Sequence, residues 1–134
     1  MRTTRYTVVD DCYNANPDST AAALRSMATL PAGRRVAILG NMGELGANAA
    51  ALHRETGACA ARAGVALVIT CGDLAKNIAA GAAAANPEIG TASFAALEEL
   101  LPALEELLQP GDCVLVKASH SMQFERVVQA LTQA

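Results

Sequence analysis

Two adjacent carboxylates, Asp10 and Asp11, close the first apolar run of the chain (Tyr6, Val8, Val9), and Tyr13, Asn14 and Asn16 follow before a proline-led, alanine-rich segment. An ionised Asp at a strand end can accept hydrogen bonds from the two vicinal hydroxyls of a ribose. Asn side chains both donate and accept, as recognition of a base or a phosphate requires. The plainer alternative is that the acids close a turn and Asn16 caps a helix. That alternative is the stronger one for Asn16 and Asp18. For Asp11, Tyr13 and Asn14 the polar groups exceed what one turn needs, which favours a ligand.

Two more segments carry chemistry. Gly40-Asn41-Met42-Gly43-Glu44-Leu45-Gly46 follows an apolar run, with His53 further on. Its glycines permit positive φ angles and close approach of a ligand. The spacing is not G-x-G-x-x-G, so a dinucleotide fingerprint is absent. Glu44 could equally be a turn carboxylate, and His53 a partly exposed surface histidine. In the third segment, Lys117 ends an apolar run and Ser119, His120 and Glu125 follow. A lysine beside a helix N-terminus capped by Ser119 suits the carboxylate of an amino acid or dipeptide. The alternative is a lysine that snorkels to water. Cys12, Cys59, Cys71 and Cys113 form no C-x-x-C pair, so zinc and disulfide readings are weak. All four read as free thiols, Cys12 being the one nearest a ligand.

The elements that would position these groups alternate. Strands are expected at Val8–Asp11, Arg35–Leu39, Val65–Thr70, around Thr91 and Ala92, and at Cys113–Val116. Most are continuous β-branched runs, as in strands buried on both faces. Helices are expected over Pro17–Leu30, where Asn16 can cap and Pro17 suits the first position, and from Asn48 to Arg62 with Leu52, Thr56, Cys59 and Ala63 inward. Another should run from an Asp73 cap to Ala85, with Leu74, Ile78 and Ala82 inward. A leucine stripe (Leu97, Leu100, Leu101, Leu104, Leu107, Leu108) after a Ser93 cap marks a further helix. Pro102 should kink or split it near residue 98. The last helix spans Ser121 to Thr132. The alternation implies an open, mostly parallel sheet with helices on both sides.

The 134 residues suit one domain, and 52% hydrophobic against 17% charged residues make a packed core feasible and disorder unfavourable. A net charge of −3 without a basic stripe speaks against nucleic-acid binding. No apolar run reaches the roughly 20 residues of a membrane span. Met-Arg-Thr-Thr-Arg is not followed by a signal-peptide core, so the expected compartment is the cytoplasm.

Asp10–Ser19 fits the pattern D-D-x-Y-N-A-N-P-x-S, Gly40–Gly46 fits G-D-M-x-E-L-G with Asn41 for Asp, and Leu115–Glu125 fits L-V-K-G-S-R-x-x-x-M-E with Ala118 for Gly, His120 for Arg, and Met122 three residues before Glu125. In this order the three resemble the C-terminal domain of the Mur ligases, in the branch that adds D-Ala-D-Ala during peptidoglycan synthesis. The likeness runs from Val8 to Leu131. It implies a three-layer Rossmann-like α/β domain of about five to six strands, spanning residues 1–134. The central ATPase domain and the N-terminal UDP-substrate domain would be absent from this chain, as in an excised domain given a new Met1.

By the same resemblance, the whole enzyme uses ATP and Mg²⁺, bound mainly by the central domain. It activates the carboxylate of UDP-MurNAc-tripeptide as an acyl phosphate, which the amine of D-Ala-D-Ala attacks. Asp11 would contact the ribose, and Tyr13, Asn14 and Asn16 would lie beside the nucleotide or at the domain interface. Asn41, Glu44, His53, Lys117, Ser119 and His120 would bind the dipeptide or wall the active site. No catalytic residue or metal ligand is expected within this domain alone, and without a G-x-x-x-x-G-K-[ST] loop the isolated chain is expected to be inactive. Arg2 and Arg5 do not stand where the family carries its upstream Arg. His120 lacks the permanent bidentate fork of an Arg and should grip a carboxylate more weakly or differently. Two alternatives stay open. One is a related Mur-type, folylpolyglutamate or cyanophycin ligase domain, although the N-A-N-P turn argues against MurE. The other is a free-standing Rossmann-like binding module.

Overall fold

The structure is a computed structural model that describes residues 5–11, 15–31 and 33–133. Five strands, β1 (Thr7–Asp11), β2 (Arg35–Gly40), β3 (Leu67–Cys71), β4 (Gly90–Phe94) and β5 (Cys113–Lys117), form one sheet in the order β1-β5-β2-β3-β4. Every pairing is parallel. The helices are α1 (Pro17–Ala28), α2 (Ala49–Arg62), α3 (Lys76–Ala85), α4 (Leu97–Leu107) and α5 (Glu125–Thr132).

Side chains of a strand alternate between faces, and the central strands place apolar residues on both. Val36 and Ile38, Ile69, Val114 and Val116 pack with Leu97, Leu100 and Leu104 of α4 and Val127, Val128 and Leu131 of α5. The intervening residues Ala37, Leu39, Val68, Cys113 and Leu115 pack with Leu24 and Met27 of α1, Ala60 of α2 and Ile78 and Ala82 of α3. The sheet is therefore sandwiched, with α1, α2 and α3 on one face and α4 and α5 on the other. Edge strands β1 and β4 are less buried, as one-sided pairing allows.

This topology places a switch point at β5. The connection from β1 to β2 passes α1 over β5 on one face, while α4 returns the chain from β4 to β5 on the other. The chain leaving β5 thus departs to the opposite face from those leaving β1 and β2. Ligands of open parallel sheets bind outside the carboxyl ends of the strands at such switch points, and here the switch falls on both sides of β5.

Several local expectations are corrected. The inward face of α2 is His53, Thr56, Gly57 and Ala60, with Leu52, Cys59 and Ala63 only partly buried, because an alanine-rich helix hardly declares its face. Asp73 is exposed and does not cap α3, which starts at Lys76 without a side-chain cap. Ser93 lies inside β4, its hydroxyl 2.8 Å from that of Thr70, rather than capping α4. Pro102 leaves α4 a single helix: the carbonyl that it cannot reach belongs to the exposed Glu98, one turn from the start. The last helix divides into a 3-10 turn, His120–Met122, and α5, with Gln123 between them at φ 58°.

Candidate functional site at the carboxyl edge of the sheet

The two charged strand ends meet. Asp11 and Lys117 are register partners across β1 and β5, and Lys117 Nζ donates to Asp11 Oδ2 at 2.8 Å. The lysine side chain is 2% exposed and the aspartate 45%. Lys117 therefore does not snorkel to water. A buried ammonium needs a counter-charge, and Asp11 supplies it. The aspartate stays open enough on its outer side to accept further hydrogen bonds. Asp10, one residue earlier, is exposed.

Asn16 fills the N-cap of α1 in a reciprocal box: its Oδ1 accepts the Ser19 N–H at 2.8 Å, and Ser19 Oγ accepts the Asn16 N–H at 3.2 Å. Its carbonyl oxygen is thus committed to the helix, which leaves its NH₂ group for any other partner. Tyr13 and Asn14, like Cys12, lie outside the described residues.

The loop after β2 is stitched to its neighbours by Asn41. Its Oδ1 accepts the Ala75 N–H at 2.8 Å, and its backbone carbonyl accepts the Ser119 N–H at 3.1 Å. One residue thereby joins the ends of β2, β3 and β5. Gly72, at φ 115°, clears space for it: a Cβ there would lie 2.5 Å from Asn41 Oδ1. Asn41 is therefore a clamp, and its side-chain oxygen is not presented to a ligand. Gly40 serves a different end from that expected of the loop glycines. Its φ is not positive, but a Cβ would sit 2.7 Å from Ala118 Cβ and 2.8 Å from Phe124 Cζ. Gly46, at φ 65°, is the glycine that uses the left-handed region.

His53 is fully buried. It is neither a surface histidine nor, in this conformation, a direct wall of an open site: its Nε2 accepts the Met42 N–H at 2.9 Å and its Nδ1 lies 2.6 Å from the Ala49 carbonyl. Glu44 is exposed with φ 60°, a non-glycine residue in the left-handed region. Ser119 stands before the 3-10 turn without a side-chain cap, its Oγ 3.2 Å from Ser121 Oγ. His120 is exposed in that turn. Together Asp11, Glu44, Lys117, Ser119 and His120 belong to strand ends and loops on one edge, whereas Asn41 and His53 hold the loops from behind. Sequence reasoning did not single out Met42, the buried anchor of the glycine loop. An apolar residue inside a polar glycine loop was the available signal.

Beside this edge, on the α4/α5 face, a cleft of about 260 Å³ lies between Ala96–Glu98 and Ser121–Gln123, with Cys71 among its lining residues and the Arg126–Glu98 ion pair (3.1 Å) at it. The Cys71 thiol is pushed up from its ordinary pKa by burial, with Glu98 and Glu99 adding to the shift. Both effects disfavour the thiolate, the form that reacts as a nucleophile. Among the described residues no group of three or more His, Cys, Asp or Glu could hold a metal ion.

A doubly wound, all-parallel α/β domain with a charged pair at its switch point is the class that this geometry defines. Residues 1–120 match the family model described as "Mur ligase, glutamate ligase domain", and the chain belongs to that family. It is 33% identical over 128 residues, 95% of its length, to the UDP-N-acetylmuramoyl-tripeptide–D-alanyl-D-alanine ligase of Bacillus subtilis, of which it covers 28%. MurF from Acinetobacter baumannii superposes with a TM-score of 0.88 at 25% identity, over 100% of this chain and 30% of that one. A MurF ligase from Thermotoga maritima in complex with ADP shares the fold with a TM-score of 0.79 at 24% identity, over 99% and 29%. The chain spans less than a third of each of these proteins.

Proposed function

We propose that this chain is the C-terminal domain of an ATP-dependent ligase that joins D-Ala-D-Ala to UDP-MurNAc-tripeptide in the cytoplasm, for peptidoglycan synthesis. The observation that carries the reading is the convergence of the motifs: Asp11, Lys117 and the Asn41-clamped loop meet at one edge of the sheet, in a chain similar over 95% of its length to a ligase of that name.

In this reading Asp11, fixed by Lys117 and half exposed, accepts hydrogen bonds from the ribose of ATP. Tyr13, Asn14 and the free NH₂ group of Asn16 lie beside the nucleotide or the adjoining domain. Glu44, Ser119, His120 and Lys117 belong to the dipeptide side, with Lys117 beneath the surface as the partner that holds Asp11. ATP and Mg²⁺ are held mainly by a central domain and supply the acyl-phosphate chemistry when bound. The residues of this chain orient the reactants and exclude water, which is where amide ligation by phosphoryl activation gains its rate.

The isolated chain is accordingly expected to fold without catalysing ligation. Amide NMR during titration with MgATP, and separately with D-Ala-D-Ala, tests the division of the face. Nucleotide shifts at Asp11 and Asn16, and dipeptide shifts at Glu44 and Ser119–His120, are the predicted result. Shifts confined to the opposite, amino edge of the sheet, or ATP-dependent ligation by the chain alone, would contradict it.

A further inference from the structure

We propose that His53 is a positioning residue that fixes the loop between β2 and α2 from inside the core, so that Glu44 is presented at the carboxyl edge in one backbone conformation. The importance of that presentation rests on the ligase reading; the latch itself does not.

His53 is 0% exposed, so it acts through other residues. The Met42 N–H can only donate and the Ala49 carbonyl can only accept. Nε2, 2.9 Å from the first, must therefore be bare, and Nδ1, 2.6 Å from the second, must carry the proton. These two partners select the Nδ1–H tautomer of the ring.

Met42 is 1% exposed and is anchored at both ends. Its backbone is held by His53, and its sulfur receives the Thr20 hydroxyl from α1 at 3.7 Å, with Thr56 Oγ1 of α2 packed 4.0 Å away while that hydroxyl donates to the Leu52 carbonyl at 3.1 Å. The preceding Asn41 is tied to Ala75 and to Ser119. Two residues past this anchor, Glu44 sits at φ 60°, a region that a side chain with a Cβ avoids unless its surroundings over-determine it. On its other side the 3-10 turn Gly46–Asn48 leads into α2, the helix that carries His53. The latch and the strained residue thus belong to one closed circuit, from His53 to Met42 to Glu44 and back along α2.

Nitrogen NMR of the intact chain tests this directly. The Nδ1–H tautomer is expected, together with a through-hydrogen-bond coupling between the Met42 amide nitrogen and His53 Nε2. In His53→Leu, Met42 amide exchange should accelerate about tenfold or more. The Glu44 backbone coupling should move off its left-handed value while the amides of β3 and β5 keep their protection. His53→Gln, which restores an acceptor, should recover part of both. An Nε2–H tautomer, an absent coupling, or a folded His53→Leu with unchanged Met42 exchange and Glu44 coupling would overturn the proposal. If His53→Leu does not fold, the wild-type tautomer and coupling decide. A failure of the ligase reading would leave all these observables in place.

Discussion

Asn41 departs from the G-D-M-x-E-L-G pattern that its loop resembles, and its contacts say what the position needs. What the position needs is an acceptor for the Ala75 N–H at the start of α3. A carboxylate meets that need and adds favourable charge at a helix N-terminus. Asn41→Asp should therefore be neutral or slightly stabilising in urea unfolding. Asn41→Leu should cost about 1–3 kcal/mol, the penalty of an orphaned buried donor. The Asp11–Lys117 pair predicts an asymmetry. Asp11→Ala removes a counter-charge from a buried ammonium and should cost about 1–3 kcal/mol, below the 3–5 of a fully buried pair because the aspartate is half exposed. Lys117→Met removes the charge with its desolvation penalty and should cost less, while impairing function. Burial pushes the Cys71 and Cys113 thiols up from their ordinary range. The native state then holds these protons more tightly than the unfolded one. Their contribution to stability is complete below the unfolded thiol value of about 8.5 and is lost as pH rises beyond it. Alkylation at pH 8 read by mass spectrometry should label the half-buried Cys59 well before Cys71 and Cys113. Of the site residues, the charged strand ends were legible because a Lys or Asp closing an apolar run is conspicuous. The supporting role of His53 was not, since burial depends on which face of an alanine-rich helix turns inward.

At the scale of elements, α2 and α3 approach through a reciprocal pair of glycines. A Cβ on Gly57 would lie 1.8 Å from the Ile78 carbonyl oxygen, and one on Gly81 1.9 Å from that of Arg54. Both obstacles are backbone, so the helices would have to separate. Gly57→Ala and Gly81→Ala should each destabilise by about 1–3 kcal/mol, despite the roughly 1 kcal/mol that Ala gains over Gly in helix propensity. Gly43→Ala, with nothing within 4 Å of its Cβ, serves as the control in the same denaturation series and should be near neutral. Neither interhelical glycine could be found from pattern, because both sit among alanines that reveal no face. The strands were legible to within about two residues, since continuous β-branched runs mark double-sided burial. Caps at Asp73 and Ser93 were misplaced because polar residues before a helix also serve as loop surface or, for Ser93, as a cross-strand partner of Thr70.

For the whole molecule, the insertion of β5 between β1 and β2 is what turns three separated motifs into one face. Alternation of strand and helix announced an open parallel sheet, but the order of strands is a long-range property that local pattern does not carry. With β5 in that place, Lys117 neighbours Asp11 on one side and, through Ser119, Asn41 on the other. The role proposed for this domain is one wall of a D-Ala-D-Ala-adding ligase. Its most direct test is a chimera in which residues 1–134 replace the C-terminal domain of the Bacillus subtilis ligase, assayed for ATP-dependent addition of D-Ala-D-Ala to UDP-MurNAc-tripeptide. Ligation by the chimera, and its loss in Lys117→Met, is the expected result. A folded chimera that binds nucleotide yet forms no product, or one indifferent to Lys117, would contradict it.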